Sequence, residues 1–378
     1  MNNSMKIGFV FDDTLDKNDG IQQYMFSLER WLKDQGHEVH YLVGQTTRSD
    51  IPNVHSLSRN IKVQFNGNRL SIPLGASKRN VRALLDREKF DVLHVQVPYH
   101  PLMAGRIINA ARRTDTAVIG TFHVAPYSRL VTLGAYALGV WSKPTLKKFD
   151  KIVSVSTAAA DLARKTFRIQ TDIVPNVFDY PRFRDAAPFE RYRDGIKTIV
   201  FLGRLVPRKG CMQLLKSVAE LKNTNFRVVI CGAGPLEAQL KAYVATHNLA
   251  DKIEFVGRVS EEDKPRYLAS ADISVFPSSA GESFGIVLIE AMASGRGAVL
   301  GGNNPGYATV LGGQPDQLFA TTSVPELTQK LEHLLSDDAA RQQAAAWGKQ
   351  ESAQYDVALV GQKLVYIYKQ FAPNSRKG

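Results

Sequence analysis

Short continuous apolar runs alternate along this chain with longer stretches in which apolar residues recur every three or four positions. Runs of the first kind read as strands buried on both faces, and the longer period reads as helices with one buried side. A first strand is expected over 6–11, followed by a polar, acid-rich loop over 12–19. A helix then starts at Gly20, carries Ile21, Tyr24, Met25, Leu28, Trp31 and Leu32 on one face, and ends at Gly36. Further strands are expected over 39–43, 91–96, 117–122, 151–154 and 172–175, with short strands and loops over 54–74. Helices are expected over 76–89 and 102–113, and 130–141 is an apolar stretch that suits a core helix or a membrane-contacting one.

The pattern pauses over 177–196, which is polar and charged with Pro181 and Pro188, and reads as a linker. It then restarts, with strands over 198–203, 227–231, 253–256 and 273–276 and helices over 212–221, 236–247 and 261–269. Two α/β domains follow, 1–176 and 197–356, each a doubly wound parallel sheet, with a last helix over 357–372. In such sheets ligands bind at the carboxyl edges of the strands.

Composition narrows the partner. The 378 residues suffice for two domains with separate cores. The formal charge is +12, with 24 basic against 16 acidic residues in 1–180 and 24 against 20 in 181–378. That excess points to an anionic partner: phosphorylated substrate, acidic lipid or nucleic acid. No helix-turn-helix, RNP or zinc-finger spacing is present, which disfavours nucleic acid. Two cysteines, Cys211 and Cys231, make neither a disulfide framework nor a metal cluster and fit a reducing compartment. The amino terminus lacks the apolar core of a signal peptide, and 130–141 is too short to span a bilayer. The expected place is the cytoplasm or the inner surface of the membrane.

Candidate chemistry gathers after the strand over 273–276. Small residues from Ser278 to Gly281 lead into Glu282, Ser283, Phe284, Gly285 and Ile286, and a helix follows that carries Glu290. The amides of such a first turn cradle phosphate, and the two carboxylates suit vicinal hydroxyls. Diol, diphosphate and diol in a row describe a nucleotide-sugar. Arg204 and Lys209, within Gly203–Gly210 after the domain's first strand, can neutralise the diphosphate. Gly20 at a strand-to-helix turn permits close backbone approach, although a helix-starting glycine without a ligand reads the same. His123 ends a strand, where a structural histidine is the alternative. Lys78, Arg79, Arg82 and Arg87 beside Val81, Leu84 and Leu85 make a basic amphipathic segment that suits anionic lipid or, more simply, a solvated helix face.

Together these residues resemble the family 4 retaining glycosyltransferases. The motifs are the E-x7-E pair Glu282 and Glu290 within 281–295, Gly203-Arg204 with Arg208-Lys209-Gly210, and Gly232-Ala233-Gly234-Pro235. Within that family the chain is similar to the phosphatidylinositol mannosyltransferases at 19–22, 78–82, 90–95 and 121–123. It departs from them at Asp19, where they have glycine, at Asp13, where they have an aromatic residue, and over 301–306. The resemblance implies a GT-B fold, two facing Rossmann-like domains with a cleft between them, the last helix crossing back to the first. It implies that Arg204 and Lys209 hold the donor diphosphate, that Gly20 closes over it, and that Glu282 and the amides of 283–286 bind the transferred sugar. Glu290 would take the ribose diol, with Val259, Glu261 and Lys264 near the base and His123 on the acceptor side. The implied reaction moves mannose from GDP-mannose to a lipid-linked polyol such as phosphatidylinositol. The alternative is a UDP-sugar-dependent enzyme acting on diacylglycerol, a soluble polyol or a polysaccharide. The resemblance requires no metal or cofactor, and leaves room for stimulation by magnesium. Lys78, Arg79 and Arg82 are the expected membrane contacts.

Overall fold

The computed structural model describes residues 4–373 except 18, 66–67, 74, 125–128 and 223–224, and omits the side chains of 62–72 and 129–137. The chain divides into two units, 1–178 with 357–378, and 179–356.

The first unit is a seven-stranded parallel sheet. Its strands are β1 (Lys6–Phe11), β2 (Glu38–Val43) and β3 (Val54–Ser56), then β6 (Val92–Gln96), β7 (Ala117–Phe122), β8 (Lys151–Ser154) and β9 (Asp172–Ile173). An antiparallel hairpin, β4 (Asn60–Phe65) and β5 (Asn68–Pro73), lies outside it. The order β3-β2-β1-β6-β7-β8-β9 reverses direction between β1 and β6. Ile7, Phe9, Val92 and Ile119 face one buried layer, Val10, Leu93, Val95 and Val118 the other. Burial on both faces is why these strands read as unbroken apolar runs.

The helix Val357–Phe371 completes this unit. Val360, Leu364 and Tyr368 enter the core with Met25, Leu28 and Leu32 of the helix Gly20–Asp34. A Cβ at Gly361 would come within 2.6 Å of the Trp31 ring, so the two helices meet at a residue without a side chain. Tyr368 shares a 2.6 Å hydrogen bond with His94 Nδ1 beneath the sheet.

The second unit has β10 (Lys197–Leu202), β11 (Phe226–Cys231), β12 (Ile253–Gly257), β13 (Ile273–Phe276), β14 (Ala298–Gly302) and β15 (Leu318–Phe319), ordered β12-β11-β10-β13-β14-β15. Its direction reverses between β10 and β13. Cys211 and Cys231 are buried and unpaired, and burial pushes the Cys211 thiol up to about 12.

The expected linker over 177–196 is corrected: most of it is folded. Residues from 179 onward belong to the second unit, as the helix Tyr180–Arg184 and the 3-10 turn Glu190–Tyr192. Pro181 sits in the first helical turn, where its missing N–H costs nothing. Phe183 and Tyr192 are buried, and the Phe189 ring packs 4.7 Å from that of Tyr267. Aromatic residues between the prolines thus find a surface, which polarity alone conceals.

Candidate donor site and basic groove

Three loops meet at the carboxyl edge of the second sheet, around the reversal between β10 and β13. They are 203–210, 277–285 and 303–304. Gly210 has φ 72°, and a Cβ there would lie 2.1 Å from the Pro277 carbonyl oxygen, so glycine lets the first two loops touch. The Ser279 amide donates to the Arg208 carbonyl at 2.9 Å. Asn304 ties in the third loop: its Nδ2 donates to the Ser278 carbonyl at 2.9 Å, and its Oδ1 accepts from the amides of Gly306 and Tyr307 at 3.1 and 3.0 Å. Gly285, at φ 103°, then turns the chain into the helix Ile286–Ser294. The first-turn amides of that helix have no partner within it.

Glu282 stands among these loops. Its Oε1 accepts from Lys209 Nζ at 2.7 Å, Arg208 Nη1 at 3.0 Å and the Ser278 hydroxyl at 2.7 Å. No described residue bonds its Oε2. Burial alone would raise this carboxyl, but Lys209 and Arg208 outweigh it and hold Glu282 below its usual range. It is therefore a fixed anion with one oxygen open. Lys209 is where expected but shared with the carboxylate. Arg208, named in the motif but given no role there, is its second cation. Arg204 is half-buried and has no side-chain partner among the described residues.

Glu290, two turns along, is 4% exposed, and its Oε1 accepts from Lys264 Nζ at 2.7 Å. Lys264 also lies 3.2 Å from Glu261 and 5.5 Å above the Phe183 ring. Burial raises the Glu290 carboxyl, and Lys264 offsets this only in part. The expected lysine beside a base is thus engaged by two carboxylates. Val259, half-buried, follows β12 in the loop that leads to Glu261. Phe284 is buried with its ring edge-on to Tyr355 at 5.2 Å, so its side chain serves the packing behind the loop.

In the first unit, Gly20 is exposed and opens its helix directly after Asp19, which provides no side-chain cap. His123 is buried at the end of β7. Its Nε2 donates to Gln96 Oε1 at 2.6 Å, and its ring meets Tyr24 edge-on at 4.8 Å. Burial lowers it to about 3, so it is a neutral hydrogen-bonding group. Asp12, read only as a loop acid, is 3% exposed at the end of β1, with Oδ1 on the Ala104 amide at 2.8 Å. Burial raises its carboxyl to about 7. No sequence spacing marks Asp12, because the helix over it comes from 103–111.

The helix Lys78–Glu88 buries Val81, Leu84 and Leu85 and exposes Lys78, Arg79 and Arg82. With Arg106, Arg113 and Asp86 they line a groove of about 510 Å³. The side chains of 130–137 lie outside the described residues; beyond them Val140 and Trp141 are exposed, at 78% and 62%. Among the described residues no helix is long and apolar enough to cross a membrane.

Comparison with known proteins agrees with this architecture. Residues 18–182 match the model for Glycosyltransferase Family 4 and residues 184–351 that for Glycosyl transferases group 1. The chain is 29% identical over 375 residues to the phosphatidyl-myo-inositol mannosyltransferase of Mycolicibacterium smegmatis, covering 97% of this chain and 94% of that protein. It is 27% identical over 256 residues to the GDP-mannose-dependent monoacylated alpha-(1-6)-phosphatidylinositol monomannoside mannosyltransferase of Corynebacterium glutamicum, covering 60% and 65%. A glycosyltransferase structure from Rickettsia africae shares its fold, with a TM-score of 0.77, 18% identity and coverage of 98% and 99%. The chain belongs to the family 4 glycosyltransferases and is a nucleotide-sugar-dependent hexosyltransferase with two Rossmann-like GT-B domains.

Proposed function

We propose that this chain transfers mannose, with retention, from GDP-mannose to the polyol headgroup of a phosphatidylinositol-class lipid at the cytoplasmic membrane face. The observation that carries the reading is Glu282, fixed by Lys209 and Arg208 beside a helix amino terminus, in a chain similar throughout to phosphatidyl-myo-inositol mannosyltransferases.

Breaking the bond between the anomeric carbon and the diphosphate oxygen sends the electron pair to the leaving group. Arg204, Lys209 and the first-turn amides of the helix Ile286–Ser294 stabilise that growing charge, which is worth more in the transition state than in the bound donor. Glu282 Oε2 accepts a sugar hydroxyl, and Ser283 to Ile286 line the sugar through their amides. Glu290, held by Lys264, takes the ribose diol, with Val259 and Glu261 toward the base. No carboxylate is assigned behind the anomeric carbon. The acceptor oxygen therefore bonds from the face the leaving group vacates, and its proton passes to the departing phosphate oxygen. Gly20 is assigned to the donor phosphate through its amide, and His123 to orienting the acceptor hydroxyl. Resident metal is not needed when two cations serve the diphosphate. Lys78, Arg79 and Arg82 meet the anionic lipid surface.

Calorimetric titration with GDP, UDP and ADP in parallel tests the donor. GDP is expected to bind at least about tenfold more tightly, a difference of about 1.4 kcal/mol. Preference for UDP would replace the mannosyl donor by a glucosyl or N-acetylglucosaminyl one and leave the site residues in place.

A further inference from the structure

Two histidines and a glutamate outside the donor site converge on one point of the first unit. His40 lies on β2, His55 on β3, and Glu88 ends the helix Lys78–Glu88. In the parallel register Leu42 pairs with His55, so His40, two residues before Leu42, shares its face of the sheet. One ligand atom from each of the three residues lies within 4.8 Å of the others. His40 Nδ1 and His55 Nε2 are 2.9 Å apart. Donors around a tetrahedral zinc ion stand about 3.3 Å apart, from bonds of about 2.0–2.1 Å. Small side-chain rotations therefore bring all three into a first coordination sphere.

The surroundings suit an ion. His40 Nε2 meets Glu38 Oε1 at 2.7 Å. A carboxylate there accepts a hydrogen bond from Nε2–H and so leaves the Nδ1 lone pair directed at the shared point, as outer partners of metal-bound histidines do. Two cations compete for Glu88: Lys6, 3.2 Å from its Oε2 and 3.1 Å from Glu38, and the exposed Arg87, 2.9 Å from its Oε1. An ion that took Glu88 would leave Lys6 its contact with Glu38, so no buried charge is stranded. The Phe90 ring, 5.3 Å from His40 and edge-on, closes one side.

We propose that His40, His55 and Glu88 form a site for a borderline-soft divalent cation of the zinc class, linking β2, β3 and the end of the basic helix. The site lies away from the carboxyl edge that carries Gly20 and His123, and it holds structure rather than substrate. A hard cation such as magnesium, which prefers oxygen ligands, does not suit it.

The test is calorimetric titration of the chelator-treated full chain with zinc chloride, alongside thermal unfolding with and without zinc. One equivalent is expected to bind with a raised unfolding temperature, and magnesium chloride should give neither effect. His55→Ala and Glu88→Gln should each weaken zinc binding by more than about tenfold, and Glu38→Gln by about tenfold as an outer partner. His333→Ala, at an exposed histidine elsewhere, should change nothing. GDP binding by His55→Ala should match that of the unaltered chain, which separates this outcome from failure of the donor assignment. Zinc binding equally tight in His55→Ala and Glu88→Gln, or no binding below about 100 µM, would overturn the proposal.

Discussion

At the scale of single residues, buried polar groups held in opposite charge states lose their contributions in the same direction, as pH falls. Glu282 is a carboxylate stabilised as an anion by two cations. His94 and His123 are imidazoles kept neutral by burial, each lowered to about 3. An exposed histidine titrates near 6.5. As pH falls, the unfolded chain therefore binds protons at these two positions before the folded chain does. Their contribution is complete above about pH 6.5 and is lost on the way down, at about 1.4 kcal/mol per pH unit for each histidine at most. Stability of the first unit is expected to drop from pH 6.5 to 5, a window above most carboxylate titrations. Urea unfolding at several pH values checks this. His100, lowered to about 4 by burial, adds to this slope, and Asp12, raised to about 7, opposes it. A His94→Gln, His123→Asn double variant should make the slope shallower, and an unchanged slope would place the proton uptake elsewhere. The sequence made Glu282 and Glu290 legible because local spacing places them on one loop and helix. Asp12 and the metal-ligating trio were not legible, since residues distant in the chain bury or assemble them.

At the scale of elements, most strands were legible because burial on both faces makes them predominantly apolar runs. The stretch over 177–196 was not, because Phe183, Phe189 and Tyr192 are embedded among charges whose outward direction only the fold reveals. The helix Lys78–Glu88 shows both faces of its pattern. Val81, Leu84 and Leu85 anchor it, and Ser77 caps its start by accepting from the Asn80 amide. The exposed Lys78, Arg79 and Arg82 can therefore be reversed without loosening the core. Each basic residue near an anionic membrane contributes about 1 kcal/mol. Lys78→Glu, Arg79→Glu and Arg82→Glu together should weaken binding to phosphatidylserine-containing vesicles by about 100-fold or more, measured by vesicle sedimentation at fixed salt. Unchanged binding would move the membrane contact to another surface, with exposed Val140 and Trp141 the first to substitute.

At the scale of the whole molecule, the same strand order occurs twice, and each unit carries its own chemistry. The loops at the reversal of the second sheet hold the paired carboxylates and cations. The first unit holds the buried histidine, the basic groove and the closing helix Val357–Phe371. Repetition of the strand–helix pattern was legible from periodicity. The departures at Asp13 and Asp19 fall in the loop after the first strand, where Asp13 pairs with Lys17 at 3.4 Å. Transfer itself tests the mannosyl assignment most directly. Radiolabelled GDP-mannose and UDP-glucose would be supplied separately to the chain and to Glu282→Ala, with vesicles containing phosphatidylinositol, and the lipid product counted. Label is expected in the lipid from GDP-mannose alone, with Glu282→Ala reduced by about 10²–10³-fold while its unfolding remains cooperative. Full transfer by Glu282→Ala, or label entering phosphatidylinositol only from UDP-glucose, would contradict this expectation.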